Sequence, residues 1–114
     1  MDLKELNTKL AGAVSQEEKI SLLDAYAEKL FEKEKFRDAS KYYARALAFA
    51  KQPNIRAYLA GQIGICHYNS GHDKEALDFL LKSARLFDSD KPGFMPDMCG
   101  FVHFHLGSLY EYHG

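Results

Sequence analysis

The chain has 114 residues, 46% of them hydrophobic and 27% charged, with 15 Lys and Arg against 16 Asp and Glu for a net charge of −1. That length allows a single domain with a real core, and the near-balance of charge excludes the long-range attraction on which nucleic-acid and anionic-membrane binders depend. No run of about 18 apolar residues exists to cross a membrane, and Met1 to Leu10 lacks the apolar stretch of a signal peptide.

From the N-terminus onward, apolar residues recur at three- and four-residue spacing without strand-like alternation, so every element is predicted as a helix. Asp2 to Val14 sets Leu3, Leu6, Leu10 and Val14 along one face of a short amphipathic helix. Ser15 followed by Glu18 reads as a capping box that opens a second helix, running to about Glu34 with Ile20, Leu23, Ala27, Leu30 and Phe31 as its apolar stripe. Phe36 opens a third, through Ala39, Tyr43, Ala46 and Ala50 to about Lys51. Pro53 suits the first turn of a fourth, which ends near Ser70 with Gly71 as its C-terminal cap. A fifth runs from Asp73 to about Phe87 with Ala76, Leu77, Leu80, Leu81 and Ala84 inward. Asp88 to Asp97, with two prolines and a glycine, is the one clear loop, and a sixth helix follows from about Asp97 to Tyr112.

The sequence repeats itself. "IGICHYNSGHDKEA" (Ile63 to Ala76) aligns with "YAEKLFEKEKFRDA" (Tyr26 to Ala39), sharing a large apolar start, a small second residue, an aromatic at the sixth position and a final alanine. A third copy begins at "LGSLYEYHG" (Leu106 to Gly114). These segments resemble the tetratricopeptide repeat (TPR), whose pattern is W-x₂-L-G-x₂-Y…A-x₃-F…P. Ile63-Gly64 and Leu106-Gly107 take the Leu-Gly pair, with Tyr26-Ala27 in the first copy; Leu30, His67 and Tyr110 take the tyrosine. Ala39 and Ala76 match the alanine, Tyr43 and Leu80 the aromatic after it, and Ala46 and Ser83 keep the next small site small. The resemblance covers roughly residues 20 to 114. It departs from the pattern in having Leu23 and Ala60 at the tryptophan position, and in spacings of 37 (Ala39 to Ala76) and 43 (Gly64 to Gly107) against about 34 in the standard repeat.

The resemblance implies an all-α fold of antiparallel helix pairs stacked as a right-handed α-solenoid, a TPR-like superhelix. Residues 1–14 would form an N-terminal capping helix and 15–114 the repeat domain: repeat 1 at about 20–52, repeat 2 at about 53–90, and the first helix of repeat 3 at about 97–113. In such proteins the first helix of each pair lines a concave groove. Carried over, that groove is Asp24, Glu28, Phe31 and Glu32; then Tyr58, Gln62, Ile65, Tyr68 and Asn69; then Phe101, Phe104, His105, Ser108 and Tyr112. It would be acidic at its N-terminal end and aromatic at the other. Relatives that grip the carboxylate tails of heat-shock chaperones place Lys, Arg and Asn where this chain has Asp24, Glu28, Phe101 and His105, so a partner that is basic and apolar fits better. The competing reading makes Asp24, Glu28 and Glu32 a solvated helix face.

The third copy lacks its second helix, and Phe101, Phe104, Leu106, Leu109 and Tyr110 would be left uncovered, so self-association through that helix is expected. No catalytic motif, phosphate-binding glycine loop or cofactor pattern occurs, and no enzymatic activity, cofactor or nucleic-acid or membrane partner is expected. His103 and His105 are two apart on a helix and point to opposite faces, as do the neighbours Cys66 and His67, so no metal site is expected. Cys66 fits a small core position, while Cys99 is expected nearer the surface; two distant cysteines give no disulfide framework and point to a reducing, cytoplasmic setting. A protein-interaction scaffold is the leading functional expectation. A peptide-sensing regulatory domain of a larger bacterial regulator and a secretion-type chaperone are the alternatives.

Overall fold

The computed structural model describes residues 1–113, and side chains as far as residue 111. Among the described residues there are six helices and no strand: α1 (Leu3–Gly12), α2 (Gln16–Glu32), α3 (Phe36–Phe49), α4 (Pro53–Asn69), α5 (Asp73–Leu86) and α6 (Pro96–His113). None is long and apolar enough to cross a membrane. The predicted ends hold to within about two residues, α2 and α3 each stopping slightly early. Gly114, expected to close the third repeat copy, lies outside the described residues.

Capping chemistry explains several of the boundaries. Ser15 Oγ accepts the N–H of Glu18 at 3.1 Å, as the capping box requires. The return bond is displaced by one residue, because Glu18 Oε2 accepts from the Val14 N–H at 3.4 Å instead of that of Ser15. Val14 is a correction to the sequence reading: α1 has already ended, and the side chain is 89% exposed. Leu6 is the fully buried residue of α1, with Leu10 half-buried and Leu3 exposed.

Helices α2 and α4 end on the same device. At α4, Gly71 (φ 79°) donates its N–H to Tyr68 O and His72 donates to His67 O at 2.9 Å. At α2, Glu34 (φ 60°) donates to Phe31 O and Lys35 to Leu30 O. Both are Schellman closures, and the left-handed residue they need is glycine in one and glutamate in the other. A side chain there crowds the following carbonyl. Glu34→Gly is therefore expected to stabilise the chain by about 1 kcal/mol, and Gly71→Ala to destabilise it by a similar amount. Urea midpoints at unchanged slope measure both.

From α2 to α5, consecutive helices run antiparallel. Between α2 and α3 the contacts pair Tyr26 with Tyr42 and Phe31 with Phe36, ring centroids 4.7 and 5.1 Å apart. Between α3 and α4, Gln62 Nε2 donates to Tyr43 Oη at 3.3 Å, and Arg56 donates to Ala50 O at 2.9 Å, closing the C-terminus of α3 from outside. Between α4 and α5, Ser83 Oγ donates to Ala57 O at 2.6 Å. By contrast α6 lies beside α4 in the same direction, Val102 against Gly61 and His105 against Tyr68.

Helix α4 is the centre of this arrangement and is buried almost all round: Ala57, Leu59, Ala60, Gly61, Ile63, Gly64, Ile65 and Cys66 are all inside. Its glycines make the close approach feasible. A Cβ on Gly64 would stand 2.7 Å from Leu80 Cγ of α5, and one on Gly61 2.9 Å from Val102 of α6. The apolar interior forms two clusters, one around Leu23, Tyr43 and Leu59, the other around Ile65, Leu80 and Val102. The molecule measures 47 × 33 × 19 Å, and its short dimension is about two helix diameters.

The α5–α6 loop is held by one side chain. Asn54, fully buried in the first turn of α4, donates through Nδ2 to the carbonyls of Asp88 (2.9 Å), Lys91 (3.2 Å) and Pro92 (2.9 Å). Its Oδ1 accepts from the Asp88 N–H at 2.9 Å. Gly93, with φ 76°, turns the chain directly over the Gln52 side chain.

Candidate functional site

Helices α2, α4 and α6 share one side of the molecule, and their contacts tie it into a continuous surface. Tyr58 Oη on α4 donates to Asp24 Oδ1 on α2 at 2.8 Å, and Gln62 Nε2 reaches Tyr58 Oη at 3.4 Å. Further along, the ring of Tyr68 on α4 meets His105 of α6 edge-on at 4.9 Å. His105 in turn touches Phe101 (4.9 Å) and Phe104 (5.6 Å), and its Nδ1 bonds to Phe101 O at 2.9 Å.

The groove residues expected from sequence divide into three groups on this surface. Glu28, Glu32, Asn69, Phe101 and Phe104 are exposed, the two phenylalanines by 54% and 69%. Asp24, Phe31, Tyr58, Gln62, Tyr68 and Ser108 are half-buried; Tyr58 and Gln62 support Asp24, and Phe31 packs into the interior. Ile65 and His105 are buried and cannot be displayed to a partner, which corrects the expectation for both. Ile65 is consumed by the cluster with Leu80 and Val102, because α4 is enclosed on several sides at once. Tyr112 lies outside the residues whose side chains are described.

The end of α6 needs a similar correction. Leu106 and Leu109 are buried inside the second cluster, so the open apolar face of α6 consists of Phe101, Phe104 and Tyr110. A Cβ added to Gly100 or Gly107 would meet nothing within 4 Å, and neither glycine is covered as Gly64 is. His103 is exposed and His105 buried, on opposite sides of the helix. Cys99 is half-buried.

Electrostatically the α2–α4 end is acidic and partly dry. Burial raises the Asp24 carboxyl; the Tyr58 hydrogen bond opposes that rise and the charge of Glu28 adds to it. Burial also raises Tyr43 and Tyr58, with the Asp24 charge reinforcing the shift at Tyr58. A cation placed here would meet a carboxylate poorly compensated by the protein's own charges.

A second concavity lies on the other side of α4. Phe36, Arg37, Ser40 and Lys41 of α3 form one wall, Cys66 and His67 of α4 and the corner residues Ser70 and His72 the other, around about 440 Å³. Cys66 and His67 both border this cleft. The Cys66 thiol, in the floor, is pushed up to about 12 by burial. Burial and then the nearby His72 hold His67 below the ordinary imidazole value, against the pull of Glu75. The His67 ring stacks on Phe79 of α5 at 5.8 Å. Sequence reasoning missed this cleft; the spacing Arg37-x₃-Lys41 was its one local signal. Among the described residues no cluster of three or more His, Cys, Asp or Glu is placed to hold a metal.

No family model, curated protein or solved structure matches this chain.

Proposed function

We propose that the chain is a TPR-like interaction scaffold whose α2–α4–α6 surface receives a peptide or helix from a partner protein. The observation that carries this reading is the side-by-side linkage of α2, α4 and α6 through Tyr58–Asp24 and Tyr68–His105, ending in phenylalanines more than half exposed. The antiparallel run of α2 to α5, with α6 alongside α4, supports a stacked-pair solenoid. The partner brings Lys or Arg to Asp24 and Glu28, and bulky apolar side chains to Phe101 and Phe104.

Selection of random displayed peptides against the purified chain tests this. Enrichment of sequences combining basic and aromatic residues is expected. Phe101→Ala with Phe104→Ala is expected to weaken the selected peptides by about 2 kcal/mol with little effect on stability, and Glu28→Lys to remove the basic preference. A selection that yields no motif, or one indifferent to these substitutions, overturns the reading.

A second reading rests on a different observation, the uncovered glycines and aromatics of α6. A second copy of the chain covers that face, so light scattering at micromolar concentration gives a dimer and Phe104→Glu a monomer. A monomer at every concentration rejects self-association and leaves the face to a different protein.

A further inference from the structure

We infer that the cleft between α3 and the α4–α5 corner binds a phosphate monoester carried on an apolar or aromatic body. Its walls supply Arg37, Lys41, His67 and His72, and none of the residues lining it is a carboxylate, although Asp38 touches Lys41 and Glu75 acts on His67 from outside. Arg37 and Lys41 stand one helical turn apart on α3, exposed, so both can swing onto one anion without giving up a buried partner. Lys41 has only a loose contact with Asp38 at 3.9 Å, between two largely exposed side chains.

The charge comes from side chains, not from the backbone. Helices α3 and α5 both begin at this end of the molecule, at Lys35 and His72, with no side-chain hydrogen bond from either N-cap residue. Their first turns carry their own acids, Asp38 in α3 and Asp73 and Glu75 in α5, which offset the helix dipoles, so Arg37 and Lys41 are the groups that meet the anion. The opposing negative end of α4 is closed by its own Schellman bonds. Cys66 O and His67 O accept from the Ser70 N–H, His67 O also from His72, and Tyr68 O from Gly71. Ser70 Oγ donates to Cys66 O as well.

Shape selects the ligand class. About 440 Å³ is several times the space a bare inorganic anion fills, and falls in the range of small-molecule sites. Phe36 and the Cys66 thiol give the cavity an apolar floor, and the His67 and His72 rings an aromatic side, their centroids 5.8 Å apart. An ester group lies against these while its phosphate reaches Arg37 and Lys41. The same chemistry is offered by a free phosphorylated aryl compound and by a phosphotyrosine side chain on a peptide. His67 is about half a turn around α4 from Tyr58, and the cleft shares no lining residue with the partner surface proposed above.

Titration of the ¹⁵N-labelled chain with phenyl phosphate, followed by amide shifts, is the test. Saturable shifts confined to residues 36–41 and 66–72 are expected. Phenol at the same concentrations leaves those amides in place, and Arg37→Glu with Lys41→Glu weakens binding roughly tenfold or more. Both positions are exposed, so the double variant keeps its fold, and an unchanged spectrum elsewhere verifies that. A phosphotyrosine peptide that binds more tightly than phenyl phosphate, shifting further residues along the rim, identifies a modified protein as the source; equal affinity identifies a free ester. No saturable shift, equal shifts with phenol, or undiminished binding by the double variant overturns the inference.

Discussion

Asn54→Ala is expected to destabilise the protein by about 3–4 kcal/mol, more than a polar-to-alanine change usually costs. The side chain is fully buried and makes four hydrogen bonds that tie the α5–α6 loop to α4. Truncation leaves three carbonyls and the Asp88 N–H facing a hole, each an unmet polar group worth about 1–3 kcal/mol before water enters to relieve part of it. Asn54→Asp separates hydrogen bonding from volume. It preserves the shape, yet presents a carboxylate to carbonyl oxygens that need a donor, so at neutral pH it is expected to be at least as damaging as alanine. Those carbonyls raise the folded-state pKa of the introduced carboxyl above its unfolded value of about 3.9. The stability that its protonated form confers is fully present below the unfolded pKa and is lost as pH rises through the folded one. The deficit of Asn54→Asp relative to Asn54→Ala should therefore shrink on acidification, in urea titrations of the two variants across that window. A nearly neutral Asn54→Asp beside a costly Asn54→Ala, at all pH values, would show that the site recognises volume alone.

Two helical glycines, Gly64 and Gly107, are expected to respond with opposite sign. Gly64→Ala puts a Cβ 2.7 Å from Leu80 Cγ and 3.1 Å from the Leu80 backbone nitrogen, so α4 and α5 must part. Overpacking of this kind costs about 1–3 kcal/mol, and the better helix propensity of alanine returns only about 1. A net loss of about 1–2 kcal/mol is expected, and Leu80→Ala made in the same chain should be less than additive with it. Gly107→Ala meets nothing and should gain about 0.5–1 kcal/mol. Thermal and urea unfolding of both variants measures the difference. If a second copy does cover α6, Gly107→Ala will also weaken the dimer while strengthening the monomer, which light scattering separates from the stability change.

The helices were legible because their signals are local. Pro53 at a helix start, Gly71 at φ 79° after α4, and Ser15 accepting from Glu18 each act within a few residues. The loop from Asp88 to Asp97 was legible as a loop, but its anchor was not: Asn54 reaches Asp88 and Pro92 from the start of α4, and an asparagine there looks like any polar first-turn residue. Ile65 and His105 were misplaced for a related reason. Motif register assigns each residue a direction around its own helix, whereas burial depends on how many neighbours that helix has, and α4 is enclosed by α3, α5 and α6. The cleft beside His67 escaped because Arg37 and Lys41 are far in sequence from His67 and His72. Glu34 shows the opposite limit. Its equivalence to Gly71 is visible in the repeat spacing of 37, while the left-handed turn that glutamate must adopt is not.

Phe31 is packed against both apolar clusters, the one around Leu23, Tyr43 and Leu59 and the one around Ile65, Leu80 and Val102. The ring therefore behaves as a shim between two blocks that α4 otherwise joins along its length. A change in its volume is expected to shift α2 and α3 relative to α4 and α5, and to move Asp24 relative to Phe104. Substitution of this one ring would thus be felt in both halves of the interior at once, with every helix left intact.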